Sequence, residues 1–307
     1  MTINLPVPTL KIAVVGDVHD QWEELDNLVL QALAVDLVLF VGDLGNESLS
    51  VVRLIADLPL PKAVILGNHD AWYTASDWGR KQAPYDHALE DRVQTQLDWL
   101  GETEVGYGKL DFPQFQLSVV GSRPFSWGGP EWKSKRFLRD RYGVRNFQES
   151  TDKIVSQVQA SHYQNLIFLG HNGPYGLGHQ AEAICGRDWP PFGSDHGDPD
   201  LAEAIAASRE LGKKIPFVTF GHMHHRLRHT QTRLRTRVVQ DEHGTVYLNA
   251  ASVPRIFNHN GDRLCNFSIV TFSHEQVQQI DLIWVNQHFD VKSEELLYAP
   301  RVTMVTG

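Results

Sequence analysis

Five apolar runs in this sequence close on a glycine followed by a polar residue. KIAVVGD ends in Gly16 and Asp17, DLVLFVGD in Gly42 and Asp43, KAVILGN in Gly67 and Asn68, NLIFLGH in Gly170 and His171, and PFVTFGH in Gly221 and His222. His19, His69 and His224 follow within two residues of such an end. Carboxylates, an amide and imidazoles together are ligands for Mn, Fe, Zn or Co in the divalent state. With His69 set aside, seven donors remain: Asp17, His19, Asp43, Asn68, His171, His222 and His224. That is too many for one ion and suits two, if Asp43 is shared and water completes each shell. A lone Asp-x-His or His-x-His is weak evidence, and an isolated Gly-Asp is commonly a turn. The weight lies in the repetition of one pattern at five apolar runs.

Those runs must be strands that place their ends on one rim. Each is short and apolar throughout, as in strands buried on both faces. Glycine at the exit allows a sharp turn and a close backbone approach. Helical periodicity separates the runs. QWEELDNLVLQALA repeats Trp22, Leu25, Leu28, Val29 and Ala32 near every 3.6 residues, and ESLSVVRLIADL and DPDLAEAIAASRELG do the same. In the last of these Asp198 is placed to cap, Pro199 to begin the helix and Gly212 to end it. Alternating strands and helices predict an α/β sheet with its polar loops gathered at the strand ends. From about 71 to 162 the pattern is irregular and rich in tryptophan (Trp72, Trp78, Trp99, Trp127, Trp132), with one strand, FQLSVVGSRP, inside it. From about 235 the chain reads as antiparallel strands. On an extended strand end, His222 and His224 point to the same side, with Met223 turned into packing and His225 outside the ligand set.

The bulk numbers agree with an ordinary soluble globular protein. The chain has 307 residues, 42% hydrophobic and 21% charged, with a formal net charge of -9, which argues against nucleic-acid binding through phosphate neutralisation. Two cysteines, Cys185 and Cys265, make no disulfide framework. The first segment has no signal-peptide pattern and no stretch is long enough to span a membrane. The expectation is a cytoplasmic protein, or one of an organelle stroma after removal of a transit peptide.

The ordered motifs GDVHDQW, VGDLGNE, GNHD, GHNGP and GHMH resemble those of the calcineurin-like metallophosphoesterase superfamily, from about Lys11 to Ser252. CGRDW and GDPDL are similar to a cyanobacterial and chloroplast branch of it. The resemblance implies a four-layer α-β-β-α sandwich of two mixed sheets (α/β, or α+β in some schemes). The whole chain, 1–307, would be one domain, with an insertion at roughly 72–162 covering the active site. It implies two divalent metal ions, Mn or Fe first, with Zn, Co or Mg as alternatives. Asp17, His19 and His224 would bind the first, Asn68, His171 and His222 the second, and Asp43 both. His69 would stand near the leaving group, with Asp70 orienting it. Paired cations clamp the attacking and leaving oxygens of an in-line displacement and acidify a bound water to hydroxide. A histidine acid adds roughly 10²–10⁴ in rate.

The sequence departs from two branches. Purple acid phosphatases carry Tyr where this chain has Asn46. Serine/threonine protein phosphatases carry Asp-Arg where it has Asn46-Glu47, and their next motif ends in Glu rather than Asp70. The leading expectation is hydrolysis of a small phosphate ester. A cyclic-nucleotide phosphodiesterase or nuclease is the alternative, motivated by the basic run EWKSKRFLRDRYGVRN and the tryptophans. A metal-holding interaction scaffold is the third, weakened by the intact His69 and Asp70. Arg136 and Arg139 in the basic run, and Arg255 in LNAASVPR, are candidate phosphate contacts. The long loop YGLGHQAEAICGRDWPPFGSDHGDPD offers Asp188, Asp195 and His196 as a pocket wall, and His179 with His196 as a candidate extra metal site. The sequence gives no information on oligomeric state.

Overall fold

The computed structural model describes residues 9–300 apart from positions 231 and 274. The first strand–helix units are β1 (Leu10–Val15), α1 (Glu24–Ala32), β2 (Leu37–Phe40), α2 (Leu49–Ala56) and β3 (Lys62–Val64). Then come α3 (Asp77–Gln82), α4 (Arg92–Leu100), β4 (Lys109–Phe112), β5 (Leu117–Gly121), α5 (Lys135–Tyr142), α6 (Phe147–Ala160) and β6 (Asn165–Leu169). After a long loop, α7 (Pro199–Glu210) leads to β7 (Lys214–Phe220), β8 (Val238–Gln240) and β9 (Val246–Asn249). The chain ends in β10 (Ile256–His259), β11 (Asp262–Ser273), β12 (Gln276–Asn286) and β13 (Val291–Tyr298).

Among the described residues these strands make two mixed sheets. The seven-stranded sheet runs β13-β12-β11-β1-β2-β3, with β10 paired to β11, and the six-stranded sheet runs β4-β5-β6-β7-β9-β8. β1, β2 and β3 are parallel, as are β5, β6, β7 and β9. Period-two alternation sorts the apolar residues. Ile12 and Val14 of β1 meet Ile167, Leu169 and Phe217 between the sheets. Ala13 and Val15 point the other way, to Val29 and Leu30 of α1 and Ile55 of α2. Phe168 and Val218 pack outward under Ile154 and Val158 of α6 and Leu201 and Ile205 of α7. Burial on both faces explains why these strands read as unbroken apolar runs. The fold is α/β, two mixed sheets flanked by helices.

Two expectations change in detail. The final strands are antiparallel except β9, which joins β7 in parallel, because the β8 hairpin reverses the chain before it re-enters the sheet. The stretch expected as an insertion supplies β4 and β5 of the second sheet and packs α4, α5 and α6 against the cores. It reaches the pocket at the strand ends with Trp72, Trp127, Gly128, Pro130, Glu131 and Lys133 alone.

A buried ion-pair network fixes the start of α7. Asp198 sits at the N-cap position but makes no side-chain cap. Its carboxylate takes the Arg123 Nη2 at 2.6 Å and the Ser126 hydroxyl at 2.8 Å, while Arg123 Nε donates to Asp200 at 2.8 Å. Arg123 has 2% of its side chain exposed and both carboxylates none. Removing one partner of a buried pair leaves an uncompensated charge. Arg123→Met is therefore expected to lower the unfolding free energy by about 3–5 kcal/mol in urea denaturation; a loss below about 1 kcal/mol would show that the pair contributes no more than a surface one.

Candidate metal centre

The five strand ends converge as the sequence predicts, by a different local geometry. β1, β2, β3, β6 and β7 all present their carboxyl ends to one rim where the two sheets meet. The chain then leaves in tight turns rather than extended strand. His19, Asp43 and His222 have φ of 46°, 50° and 64°, a left-handed conformation that non-glycine residues adopt only under constraint. The pleat therefore does not orient His222 and His224. A turn after Phe220 does, and Asn249 holds it, donating to the Met223 carbonyl at 2.7 Å. Two glycines are required by space. A Cβ on Gly67 would lie 2.3 Å from Asp43 Oδ1, and one on Gly221 2.1 Å from Asp17 Oδ1.

Backbone donors aim the carboxylates. The His222 N–H donates to both Asp17 oxygens, at 3.0 and 3.1 Å, and the His69 N–H to Asp43 Oδ1 at 2.9 Å. His171 Nδ1–H donates to the Val41 carbonyl at 2.8 Å, so in the neutral ring Nε2 is bare. That nitrogen faces Asn68 Oδ1 at 3.0 Å and Asp43 Oδ1 at 3.3 Å. His224 Nε2 lies 3.2 Å from both His19 Nε2 and Asp17 Oδ2. Nitrogen and carboxylate oxygen atoms this close can share a proton or, together, ligate a cation. Three groups among the described residues meet a ligand-distance criterion: Asp17, His19 and His224; Asp43, His171 and His222; and His19, Asp43 and His69. Asp43 belongs to two of them, and the oxygen–imidazole chemistry fits divalent cations.

The sequence matches the calcineurin-like phosphoesterase family over residues 10–226. The chain belongs to that family. It is a metallophosphoesterase by domain, with a candidate metal site. A symmetrical bis(5′-nucleosyl)-tetraphosphatase of Vibrio cholerae serotype O1 is 30% identical over 128 residues, which cover 36% of this chain and 44% of the relative. The chain thus spans under half the length of the curated relatives it matches. A solved structure from Thermus thermophilus has a TM-score of 0.49 at 11% identity, covering 95% of this chain and 100% of its own. Another has a TM-score of 0.51 at 12% identity, covering 88% and 98%, and bears on the fold alone. No described helix is long and apolar enough to cross a membrane.

Within this metallophosphoesterase fold several expected contacts lie elsewhere. Asp70 does not touch the His69 ring. It accepts the backbone N–H of Leu44 at 2.9 Å and of Gly67 at 2.7 Å, tying together the loops after β2 and β3, and burial pushes its carboxyl up to about 8. The ring partner is Asn46, whose Oδ1 lies 2.6 Å from His69 Nδ1, and Trp72 stacks on the ring at 4.6 Å. Arg136 and Arg139 pair with Asp140 on the outer face of α5, whose inner face buries Phe137 and Leu138, and neither lines the metal pocket. Arg255 is 1% exposed. It lies over the Trp22 ring at 4.7 Å and donates to the Gln21 carbonyl at 2.7 Å and to Asp26 at 3.1 Å, so it is a core cation. Asp188 and His196 of the long loop line the pocket; Asp195 instead accepts the N–H of Gly176 and Gly197. His179 joins no ligand group among the described residues. The sequence reading passed over Asn46 as a contact and Arg187, Trp189, Arg226 and Arg228 as pocket lining. Adjacency of Arg226 and Arg228 to GHMHH was the available signal.

The electrostatics favour a bound cation. Burial would push the Asp17 carboxyl up, but the hydrogen bond and charge of His224, with His171 and His19 nearby, hold it below the usual range. Burial, then the charges of Asp17 and Asp70, push Asp43 well above it. Burial lowers His19, His171 and His222, keeping these imidazoles in the neutral form that ligates metal. Because the folded value of Asp43 is raised, its ionised form destabilises the metal-free fold above that value, and the effect fades as pH falls. Metal-free Asp43→Asn is expected to melt higher than metal-free wild type at pH 8, with the gap narrowing on acidification. Added Mn²⁺ should raise the melting temperature of wild type far more than that of the variant. An equal response to Mn²⁺ in scanning calorimetry would contradict this account.

Proposed function

We propose that the chain is a dinuclear metal-dependent hydrolase of a small phosphorylated molecule. The observation that carries this reading is that Asp43 lies at ligand distance from His171 and His222 on one side and from His19, a member of the Asp17 group, on the other. Asp17, His19 and His224 would hold one cation and Asn68, His171 and His222 the other, with Asp43 available to both. When bound, the cations polarise the phosphoryl group and lower the pKa of a nucleophilic water. Similarity to symmetrical bis(5′-nucleosyl)-tetraphosphatases is in keeping with a phosphorylated small-molecule substrate.

The protein's own residues position the rest. Water oxygen bonds to phosphorus as the ester oxygen departs, one water proton is released, and the leaving oxygen is protonated. His69 Nε2 lies 4.0 Å from Asp43 Oδ2, beside the place where the leaving group stands. Burial, then the charge of His19, lowers its pKa to about 4, and an anionic phosphoryl group beside Nε2 would favour its protonated form. Asn46 accepts the Nδ1–H and sets the ring plane without adding charge, and Trp72 fixes the face. Asn46 thus acts through His69 as a positioning residue.

Two expected outcomes test this. In protein stripped of metal and reloaded with Mn²⁺, His222→Ala should lose about 10²-fold or more in turnover on a chromogenic phosphate monoester or its matching diester, and should bind less metal by elemental analysis. Full activity would overturn the reading. Asn46→Ala should slow turnover about 10-fold with both metals retained. Asn46→Asp, which sets a carboxylate beside Nδ1, should raise the His69 pKa and move the alkaline limb of the kcat–pH profile upward. An unmoved limb would mean that His69 is not the proton donor.

A further inference from the structure

The pocket that opens from the metal centre has a volume of about 810 Å³, within the range of small-molecule sites and far larger than a phosphate requires. Its lining adds two chemistries to the candidate metal ligands. The first is flat and apolar. Trp72 and Trp127 lie 5.6 Å apart with their planes tilted by 34°, and Trp72 itself stacks on His69. Trp189 enters from the long loop after β6, 4.9 Å from His196. All three indoles are half-buried. The second is cationic. Arg187, Arg226 and Arg228 line the same pocket. Among the described residues none of the three is within ion-pair distance of a carboxylate, whereas Arg235 and Lys133 have Asp188 and Glu131 as partners. Arg187 is oriented by the Pro191 carbonyl, which accepts its Nε–H at 2.8 Å.

A substrate that is only a phosphate on an aliphatic stem gives the tryptophans nothing to contact. An aryl ester with a single phosphate gives three arginines no second anion. We propose that this site takes a nucleoside polyphosphate. The base lies against the Trp72–Trp127 surface next to the leaving-group side of the centre, and the phosphates not being cleaved lie on Arg187, Arg226 and Arg228. Guanidinium groups bind phosphate oxygens in bidentate pairs, and indole faces accept any base by stacking. A nucleic-acid strand is the less suitable occupant. The chain carries a net charge of -9, and its free arginines gather in one concave pocket instead of forming a track. This assignment rests on reading the centre as a phosphohydrolase.

The test is calorimetric titration of the Mn²⁺-loaded protein, with Mn²⁺ in excess over ligand, using two probes: adenosine 5′-(β,γ-imido)triphosphate and inorganic tripolyphosphate. The nucleotide analogue should bind at least about 10-fold tighter than tripolyphosphate, the contribution of one stacked base. Trp127→Ala should remove that preference and leave tripolyphosphate binding within about twofold. The Arg226→Ala/Arg228→Ala double variant should weaken both probes by on the order of 10-fold. Circular dichroism and metal content check that each variant is folded and loaded, and Trp127→Leu, which keeps apolar volume without a flat ring, replaces Trp127→Ala if that variant fails to fold. Equal binding of the two probes by wild type, or an arginine variant that binds both unchanged, overturns the proposal. Phosphate release from glycerol phosphate is followed in parallel. Base-dependent binding with no release from any ester overturns the hydrolase reading alone, and release with base-blind binding overturns the substrate assignment alone.

Discussion

The structure is organised around a crowd of buried carboxylates and imidazoles whose charge a bound cation would balance. Asp17 and Asp43 are buried carboxylates of like charge, with 1% and 2% of their surface exposed, and bare imidazole nitrogens crowd against them. Burial and the neighbouring charge of Asp17 hold Asp43 toward its protonated form, while burial keeps His171 and His222 neutral. A divalent cation placed among them would meet each group in the protonation state that ligates metal. The left-handed backbone at His19, Asp43 and His222 belongs to the same arrangement, since local strain persists only where the surrounding structure holds it in place.

The two-sheet fold supplies that holding. Parallel strands deliver their carboxyl ends to one rim, where α/β folds place their ligands. Here the rim is shared by two sheets, so candidate ligands that follow β1, β2 and β3 meet those that follow β6 and β7. Asp70 accepts the N–H groups of Leu44 and Gly67. Asn249 fastens the His222–His224 turn to the sheet and, through the Ile184 carbonyl at 3.2 Å, to the loop that walls the pocket. Asp70 and Asn249 thereby fix the loops that carry the candidate ligands.

How far this was legible in the sequence depends on range. The five strand ends were readable because each couples an apolar run to the polar residue directly after it, so position along the chain predicts position in space. The α/β class and the extent of α1, α2 and α7 followed from periodicity. What failed depended on side-chain direction across long sequence separations. Arg255 bears an arginine's charge, yet it meets Asp26, 229 positions away in sequence, inside the core. Arg136 and Arg139 lie in a basic run whose apolar partners, Phe137 and Leu138, turn the charges outward. Asp70 follows His69 directly, but a short 3₁₀ turn over Asn68–Ala71 sends its carboxylate to the backbone and leaves the imidazole to Asn46. The segment 72–162 looked irregular because it opens with short helices and a four-residue strand, although it builds one edge of the second sheet and holds the 14-residue α6.

The most direct test of the account is anomalous diffraction at the manganese edge from crystals of the protein grown with Mn²⁺. Two peaks about 3.5–4 Å apart are predicted, one against Asp17, His19 and His224, the other against Asn68, His171 and His222, with Asp43 between them. A single peak, or two peaks that Asp43 does not touch, would contradict it.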